Sequence, residues 1–370
     1  MKKRTFIFIF LVLVASSVVL LQWQHGKAKE AKTKKQPSAT ATAVASDQIP
    51  APKPDNSMLR ARLDQFLQER HFNGSALVMQ DGEVILDKGY GYADFGKNIS
   101  NTPDTKYRIG SITKTAVALS ILQLQEQGKV NIYDNVNKYI QSFPANKNIS
   151  LYHLLTHTSG LPSNGTGKVD ASNHLKLVTW IGSQNLAFTP GTGWLYSDRN
   201  YMVLAYIVEK VSGEPIAKYV KEHIFVPAGM NQSGMGDDPA NDANFSKGYV
   251  LDNLKEVPAP KLSMQWLYGC GELYTTTHDM YKLDEAIMLG KLISSESMKL
   301  MFTPSPNKDY AFSFYILPDY YHNHGVLAGW NTFNNFNWEK RTFVMLFSNV
   351  KNGIDDNFNK EFRSMVIPKP

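Results

Sequence analysis

Tyr107-Arg108-Ile109-Gly110-Ser111-Ile112-Thr113-Lys114-Thr115-Ala116 is a turn that enters an apolar helix and sets a serine three residues ahead of a lysine. Gly110 permits a tight entry. From Ser111 the pattern predicts a helix to Gln127, with Ala116, Leu119, Leu122 and Leu124 roughly at helical spacing and Gly128 as its stop. Residues i and i+3 share a helix face, so the Lys114 amine comes within reach of the Ser111 hydroxyl. A hydroxyl is a poor nucleophile until a base takes its proton, and a lysine serves as that base if burial lowers its pKa toward neutrality. The free amides of a helix N-terminus favour the developing negative charge. Ser-x-x-Lys alone recurs by chance, and a serine opening a helix is ordinarily an N-cap. The rest of the chain decides its meaning.

With 370 residues, 43% hydrophobic and 12% aromatic, the chain can bury one large core or two small ones. Its formal charge is +6, but residues 1–57 hold nine Lys or Arg against three Asp or Glu, and residues 58–370 hold thirty of each. The basic excess belongs to a tail, so the globular part is neutral and no nucleic-acid partner is expected. The single cysteine, Cys270, excludes an intramolecular disulfide and a Cys-rich metal site. It also lies too far along the chain for a lipoprotein anchor.

Residues 1–4 read as a cytoplasmic tail and 5–23 as a membrane anchor or a signal segment. The apolar run exceeds the roughly 7 to 15 residues of a signal core and lacks a small-x-small cleavage site, which favours the anchor. Its leading charges keep the N-terminus inside, so the expected location is the cell membrane, single-pass with the catalytic domain extracellular, or secreted if the signal is cleaved. Residues 24–57, rich in Lys, Ala, Pro, Ser and Thr, read as a disordered basic linker. From Met58 a short amphipathic helix leads to a hairpin at Ala76-Leu77-Val78-Met79-Gln80, Asp81-Gly82 and Val84-Ile85-Leu86-Asp87. The middle, about 111–265, is mainly helical, and strand-like runs return at 311–317 and 341–349. One sheet built from both ends, with a helical lobe inserted, is the simplest arrangement, and residues 58–370 form the catalytic domain.

Leu151-Tyr152-His153-Leu154-Leu155-Thr156-His157-Thr158-Ser159-Gly160-Leu161-Pro162 and Phe188-Thr189-Pro190-Gly191-Thr192-Gly193-Trp194-Leu195-Tyr196-Ser197-Asp198-Arg199-Asn200-Tyr201 resemble signatures of the penicillin-recognising serine hydrolases. The likeness is strongest to the branch of class C β-lactamases, DD-peptidases and esterases. Ile224-Phe225-Val226-Pro227-Ala228-Gly229-Met230, Gly269-Cys270-Gly271-Glu272-Leu273-Tyr274-Thr275-Thr276 and Gly325-Val326-Leu327-Ala328-Gly329-Trp330 match that branch in order, over roughly residues 60–365. The resemblance implies a β-lactamase/transpeptidase-like α/β (α+β) fold, an antiparallel sheet flanked by helices with a mainly helical inserted lobe. No metal or cofactor is implied.

The family carries Ser-x-x-Lys, a Tyr-x-Asn or Ser-x-Asn loop, and a strand triad usually written Lys/His-Thr/Ser-Gly. The resemblance makes Ser111 the nucleophile, Lys114 its base and Tyr196 a general acid, with the amides of Ser111 and Val326 as the oxyanion hole. Two departures stand out. Asp198 replaces the usual asparagine, and Asn323-His324-Gly325 occupies the triad, so its leading cation is missing. Strand alternation puts His322 and His324 on the face opposite Asn323. A penicillin or D-Ala-D-Ala carboxylate would then lose a charge-assisted bond of about 1.5 to 3 kcal/mol. Asp198 suits an ammonium group instead.

A D-alanyl ester of teichoic acid fits both departures, and the chain is similar to teichoic-acid D-alanyl esterases of this superfamily, which share Tyr-Ser-Asp. The expected partner is thus a cell-envelope polymer, teichoic acid or peptidoglycan, with Asp198, Asn323, His324, Gly325 and Val326 as substrate-binding candidates. A DD-carboxypeptidase or weak β-lactamase is the alternative enzyme, and a wall-binding protein without turnover the alternative of another class. His153 and His157 are expected to pack and cap rather than bind metal, since no carboxylate or cysteine cluster accompanies them.

Overall fold

Leu63 and Leu67, one helical turn apart and fully buried, seat the first helix, α1 (Ser57–Glu69), on a sheet. The structure, a computed structural model, describes residues 56–163, 169–239 and 242–367. The expected tail and anchor, and the linker up to residue 55, lie outside the described residues. After α1 comes the hairpin of β1 (Gly74–Gln80) and β2 (Glu83–Tyr90), turning through Asp81 and Gly82 at φ +52° and +79°. Both angles suit a two-residue turn that follows the strand twist. A short strand, β3 (Tyr107–Arg108), leads to the Ser111 turn and to α2 (Thr113–Glu126), which is buried on nearly every side, as a central helix must be.

Helices α3 (Leu151–Leu155), α4 (His174–Ser183) and α5 (Asp198–Ser212) follow, with Gly213 closing α5 in the left-handed region. The stretch 111–265 is not helical throughout, for it also holds the short strand β4 (Gly234–Met235) and a hairpin, β5 (Tyr249–Asp252) with β6 (Lys255–Pro258). β7 (Leu273–Thr275), α6 (Thr277–Met288), β8 (Tyr315–Leu317), β9 (Tyr320–Val326), β10 (Asn331–Asn337), β11 (Thr342–Ser348) and α7 (Asp356–Ser364) complete the order used below.

The main sheet runs β8-β9-β10-β11-β1-β2, each pairing antiparallel. β1 pairs with β11 from Gly74 opposite Ser348 to Gln80 opposite Thr342, so both ends of the domain meet in its centre. Alternation divides the core: Ala76 and Val78 join α1 and α7, where Phe66 meets Phe358 at 5.2 Å, and Leu77 and Met79 join α2 and the helices beyond it. This is the mixed α/β arrangement with antiparallel sheets that the motifs implied.

Three local details differ from the sequence expectation. Ser111 lies in a 3-10 turn, Gly110–Ile112, and the α-helix starts at Thr113, because Gly110 at φ +50° bends the chain to meet β9. The strand expected over 311–317 shrinks to Tyr315–Leu317; Ala311 and Phe314 exchange backbone hydrogen bonds around Ser313, at φ +76°. β10, Asn331-Thr332-Phe333-Asn334-Asn335-Phe336-Asn337, is a fully buried central strand that its composition conceals.

Candidate active site

Two glycines let the Ser111 turn dock against β9. A Cβ on Gly325 would stand 1.7 Å from the Ile109 carbonyl oxygen and 3.1 Å from the Ser111 nitrogen, and one on Gly110 would stand 2.9 Å from the Val326 nitrogen. Neither side chain could be accommodated without moving backbone. Leu327 N–H donates to the Trp330 carbonyl at 3.0 Å. Antiparallel alternation then turns the Val326 N–H away from β10. On that side β8 pairs only as far as His322, so the edge at Val326 is open. The amides of Ser111 and Val326 therefore come together at one gap.

Lys114 lies under this turn, 1% exposed, and its three N–H donors are all used: Ser111 Oγ at 3.0 Å, Asp198 Oδ1 at 2.8 Å and the Cys270 carbonyl at 2.9 Å. Burial by itself pulls its pKa down, but Asp198 foremost, with Tyr196 and Cys270, outweighs burial and holds the pKa above the usual lysine value. The expectation of a lysine neutralised by burial is thus corrected: the adjacent carboxylate keeps it an ammonium. Asp198 opens α5, where the helix N-terminus favours a carboxylate.

Tyr196 hangs over Lys114, whose Nζ is 5.0 Å from the ring centroid. Its loop is braced by His157. The His157 carbonyl accepts Leu195 N–H at 3.0 Å, and Nδ1 accepts Ser197 N–H at 3.2 Å and the Asn200 amide at 2.8 Å. The ring packs 4.3 Å from that of Tyr196. With two donors on Nδ1 the ring proton sits on Nε2, and burial, helped by the Lys114 charge, keeps the ring neutral by pushing its pKa well below the usual value. The buried backbone at φ +58° is a strained conformation for histidine. His153, in contrast, closes a capping box with Ser150 at the start of α3.

Asn323 is buried and turned to Thr115, which accepts from its Nδ2 at 3.1 Å, while Gly325 supports the turn described above. His322 and His324 lie on the other face, hydrogen-bonded to Asn335 at 2.9 Å and Asn331 at 2.6 Å. Burial lowers both pKa values, that of His322 to about 4, so both are neutral at pH 7 and neither replaces the missing cation. The pocket beside Ser111, about 230 Å³, is lined by Tyr196, Tyr310, Ser313, Tyr315, His324 and Val326. Asp198 and Asn323 flank it through Lys114 and Thr115.

Tyr310, Ser313 and Tyr315 were invisible to motif reading, because they arrive on a turn whose strand-like composition carries no chemical signature. A larger cleft of about 790 Å³ near Trp330 and Lys247 contains none of Ser111, Lys114 and Tyr196, so the chemistry belongs to the smaller pocket. Among the described residues, the group with metal-ligand spacing is Glu214, Glu222 and His223. Its carboxylates are paired with Lys218, and none of the three lines the pocket.

With this geometry in view, residues 59–364 match the family described as Beta-lactamase. The chain belongs to that family. A relative in Bacillus subtilis (strain 168), provisionally named as a penicillin-binding protein, PbpX, is 40% identical over 79% of this chain and 74% of its own length. A teichoic acid D-alanine hydrolase of Staphylococcus aureus (strain MRSA252) is 33% identical over 78% of this chain and 73% of its own. The crystal structure of FmtA from Staphylococcus aureus superposes with a TM-score of 0.76 at 30% identity, covering 84% of this chain and 89% of that one. A class C beta-lactamase shares the fold at a TM-score of 0.73 and 19% identity, over 85% of this chain and 97% of its own. The protein is thus a serine hydrolase of the beta-lactamase family.

Proposed function

We propose that this beta-lactamase-family hydrolase removes D-alanyl esters from teichoic acid, outside the membrane in which its N-terminal segment is anchored. One observation carries the reading: the pocket beside Ser111 is walled by tyrosines, a serine, a neutral histidine and Val326, without Lys or Arg, and the carboxylate of Asp198 stands behind it on Lys114. With the Lys114 charge balanced by Asp198, such a pocket takes an ammonium and offers a carboxylate no unpaired cation. A D-alanyl ester has the first and lacks the second. The relatives named teichoic acid D-alanine hydrolases support the same choice.

In the proposed reaction Ser111 Oγ bonds to the ester carbonyl carbon while its proton passes to Lys114 and a Lys114 proton passes to Asp198. The amides of Ser111 and Val326 hold the oxyanion. The ester C–O bond then breaks and the departing alkoxide takes the Tyr196 phenol proton, which Asp198 replenishes through Lys114. Water attacks the acyl-enzyme, leaving a proton on Ser111 and releasing D-alanine.

The test is D-alanine release by the full chain in detergent, from D-alanylated lipoteichoic acid and from a peptide ending in D-Ala-D-Ala, with Ser111→Ala as control. Release from the polymer alone, lost in the variant, is the expected result. Release from the peptide alone would transfer the assignment to a carboxypeptidase, the reading that the penicillin-binding name of the Bacillus relative favours.

A further inference from the structure

Asn323 occupies the triad position at which the motif comparison leaves a cation missing, and a chain of hydroxyls leads from it to the pocket. Its Nδ2 donates to Thr115 Oγ1 at 3.1 Å, and Thr115 Oγ1 lies 2.8 Å from Ser313 Oγ. Ser313 lines the pocket with Ser111. All three residues are at most 5% exposed, so water does not compete for these bonds.

The amide end fixes the first bond of the chain. An NH2 group can only donate, so Thr115 accepts from Asn323, and in the Thr115–Ser313 pair either hydroxyl can supply the hydrogen. In the arrangement in which Thr115 donates, Ser313 keeps its own hydrogen for the pocket. Turning the amide over would leave a buried NH2 with two unmet donors, whereas the observed orientation uses one of them and leaves the other and the Oδ1 acceptor unpartnered. The backbone at Ser313, φ +76°, is one that a serine rarely adopts, and the residue lies in the lining of the pocket.

We propose that Ser313, fed by Thr115 and Asn323, is a specificity-determining donor that binds a hydroxyl or phosphate oxygen of the polyol leaving group. The cation normally found at the Asn323 position would hold a carboxylate on the leaving side of the scissile bond. A neutral O–H directed from the same position selects an uncharged or shared-charge oxygen instead. Which ester it reads rests on the esterase function proposed above; the donor chain itself does not.

The test uses the full chain in detergent with Ser313→Gly, which removes the hydroxyl and suits the positive φ, and Thr115→Val, which interrupts the chain at its middle. With D-alanyl glycerol as substrate, kcat/KM falls about tenfold in each, the loss of one hydrogen bond. With D-alanine methyl ester, which offers no further leaving-group oxygen, it stays within about twofold. The double variant is no worse than either single one, because the three groups act as one chain. Equal losses on both esters, or none on either, overturn the proposal.

A second arm needs no turnover: titration of unalanylated tri(glycerol phosphate) into the Ser111→Ala protein. Binding weakened several-fold by adding Ser313→Gly supports the donor; unchanged or undetectable binding overturns it. If wild type cleaves neither ester while the titration still discriminates, the esterase reading falls and the donor chain stands.

Discussion

The two walls beside Ser111 solve different problems. On one side Lys114 is saturated by Ser111, Asp198 and the Cys270 carbonyl, a buried ammonium paired with a half-exposed carboxylate. On the other, Asn323, Thr115 and Ser313 form a neutral chain with no charge among them. Proton transfer needs a connected series of donors and acceptors, and Ser111, Lys114 and Asp198 supply one. Recognition of a flexible, uncharged leaving group needs direction more than charge. If the proposed roles hold, chemistry and selection lie on different walls, and each can be disturbed without the other.

Asp198→Asn strikes hardest at the charged wall. It keeps a hydrogen bond to Lys114 but removes the carboxylate that receives the relayed proton, so kcat falls about 100-fold or more at pH 7. Without that negative charge the Lys114 pKa drops, so neutral amine accumulates as pH rises and the deficit narrows. A pH–rate profile from 6 to about 10 reads this directly. A deficit constant across the range would show that Asp198 acts only as a geometric support.

Glu272 sharpens the comparison from behind the same wall, two residues after Cys270. Burial raises its pKa from 4.5 to about 7, against the opposing pull of the Gly269 N–H at 2.8 Å and of His174 and Arg108. The folded protein holds this proton to near neutrality and the unfolded chain releases it around pH 4.5, so stability falls as pH rises through that window. Glu272→Gln keeps the acceptor for Gly269 and abolishes the slope. It should leave stability near pH 4 unchanged and raise it by up to about 3 kcal/mol at pH 8. Denaturant unfolding at pH 4, 6 and 8 checks this, and an unaltered slope in the variant would refute it.

His157 carries the smallest expected effect. His157→Phe preserves the ring beneath Tyr196 but strands the Ser197 N–H and the Asn200 amide, costing about 1 to 3 kcal/mol. Because Tyr196 is displaced and the neutral wall is not, kcat should fall with KM nearly constant. His157→Asn, which restores an acceptor and tolerates φ +58°, should recover much of both. A Phe variant that keeps wild-type activity while the Asn variant loses it would mean that the ring alone positions Tyr196.

Much of this was legible in residue order. The hairpin announced itself through Asp81-Gly82, α2 through its spacing and Gly128, and the family through motifs that run from Ser111 to Trp330. β10 was not, since Asn331, Asn334, Asn335 and Asn337 disguise a core strand. Asn331 is satisfied by the Lys351 and Ile354 carbonyls and Asn335 by Val344, partners that only the folded chain supplies. The charge state of Lys114 was hidden for a related reason: burial and a carboxylate act on it in opposite directions, and only a distance decides between them. Ser313 was concealed because its role depends on a left-handed backbone angle.

The pairing of β1 with β11 has a consequence for how the molecule comes into being. Ser111 is made early and Val326 more than two hundred residues later, and the strand that carries Val326 is held in place through β10 by β11, which in turn closes on β1. Closing so long a span costs entropy before any contact returns it. The emerging chain therefore has a serine but no place to put the charge its attack would create, and it becomes reactive only when its last strands arrive.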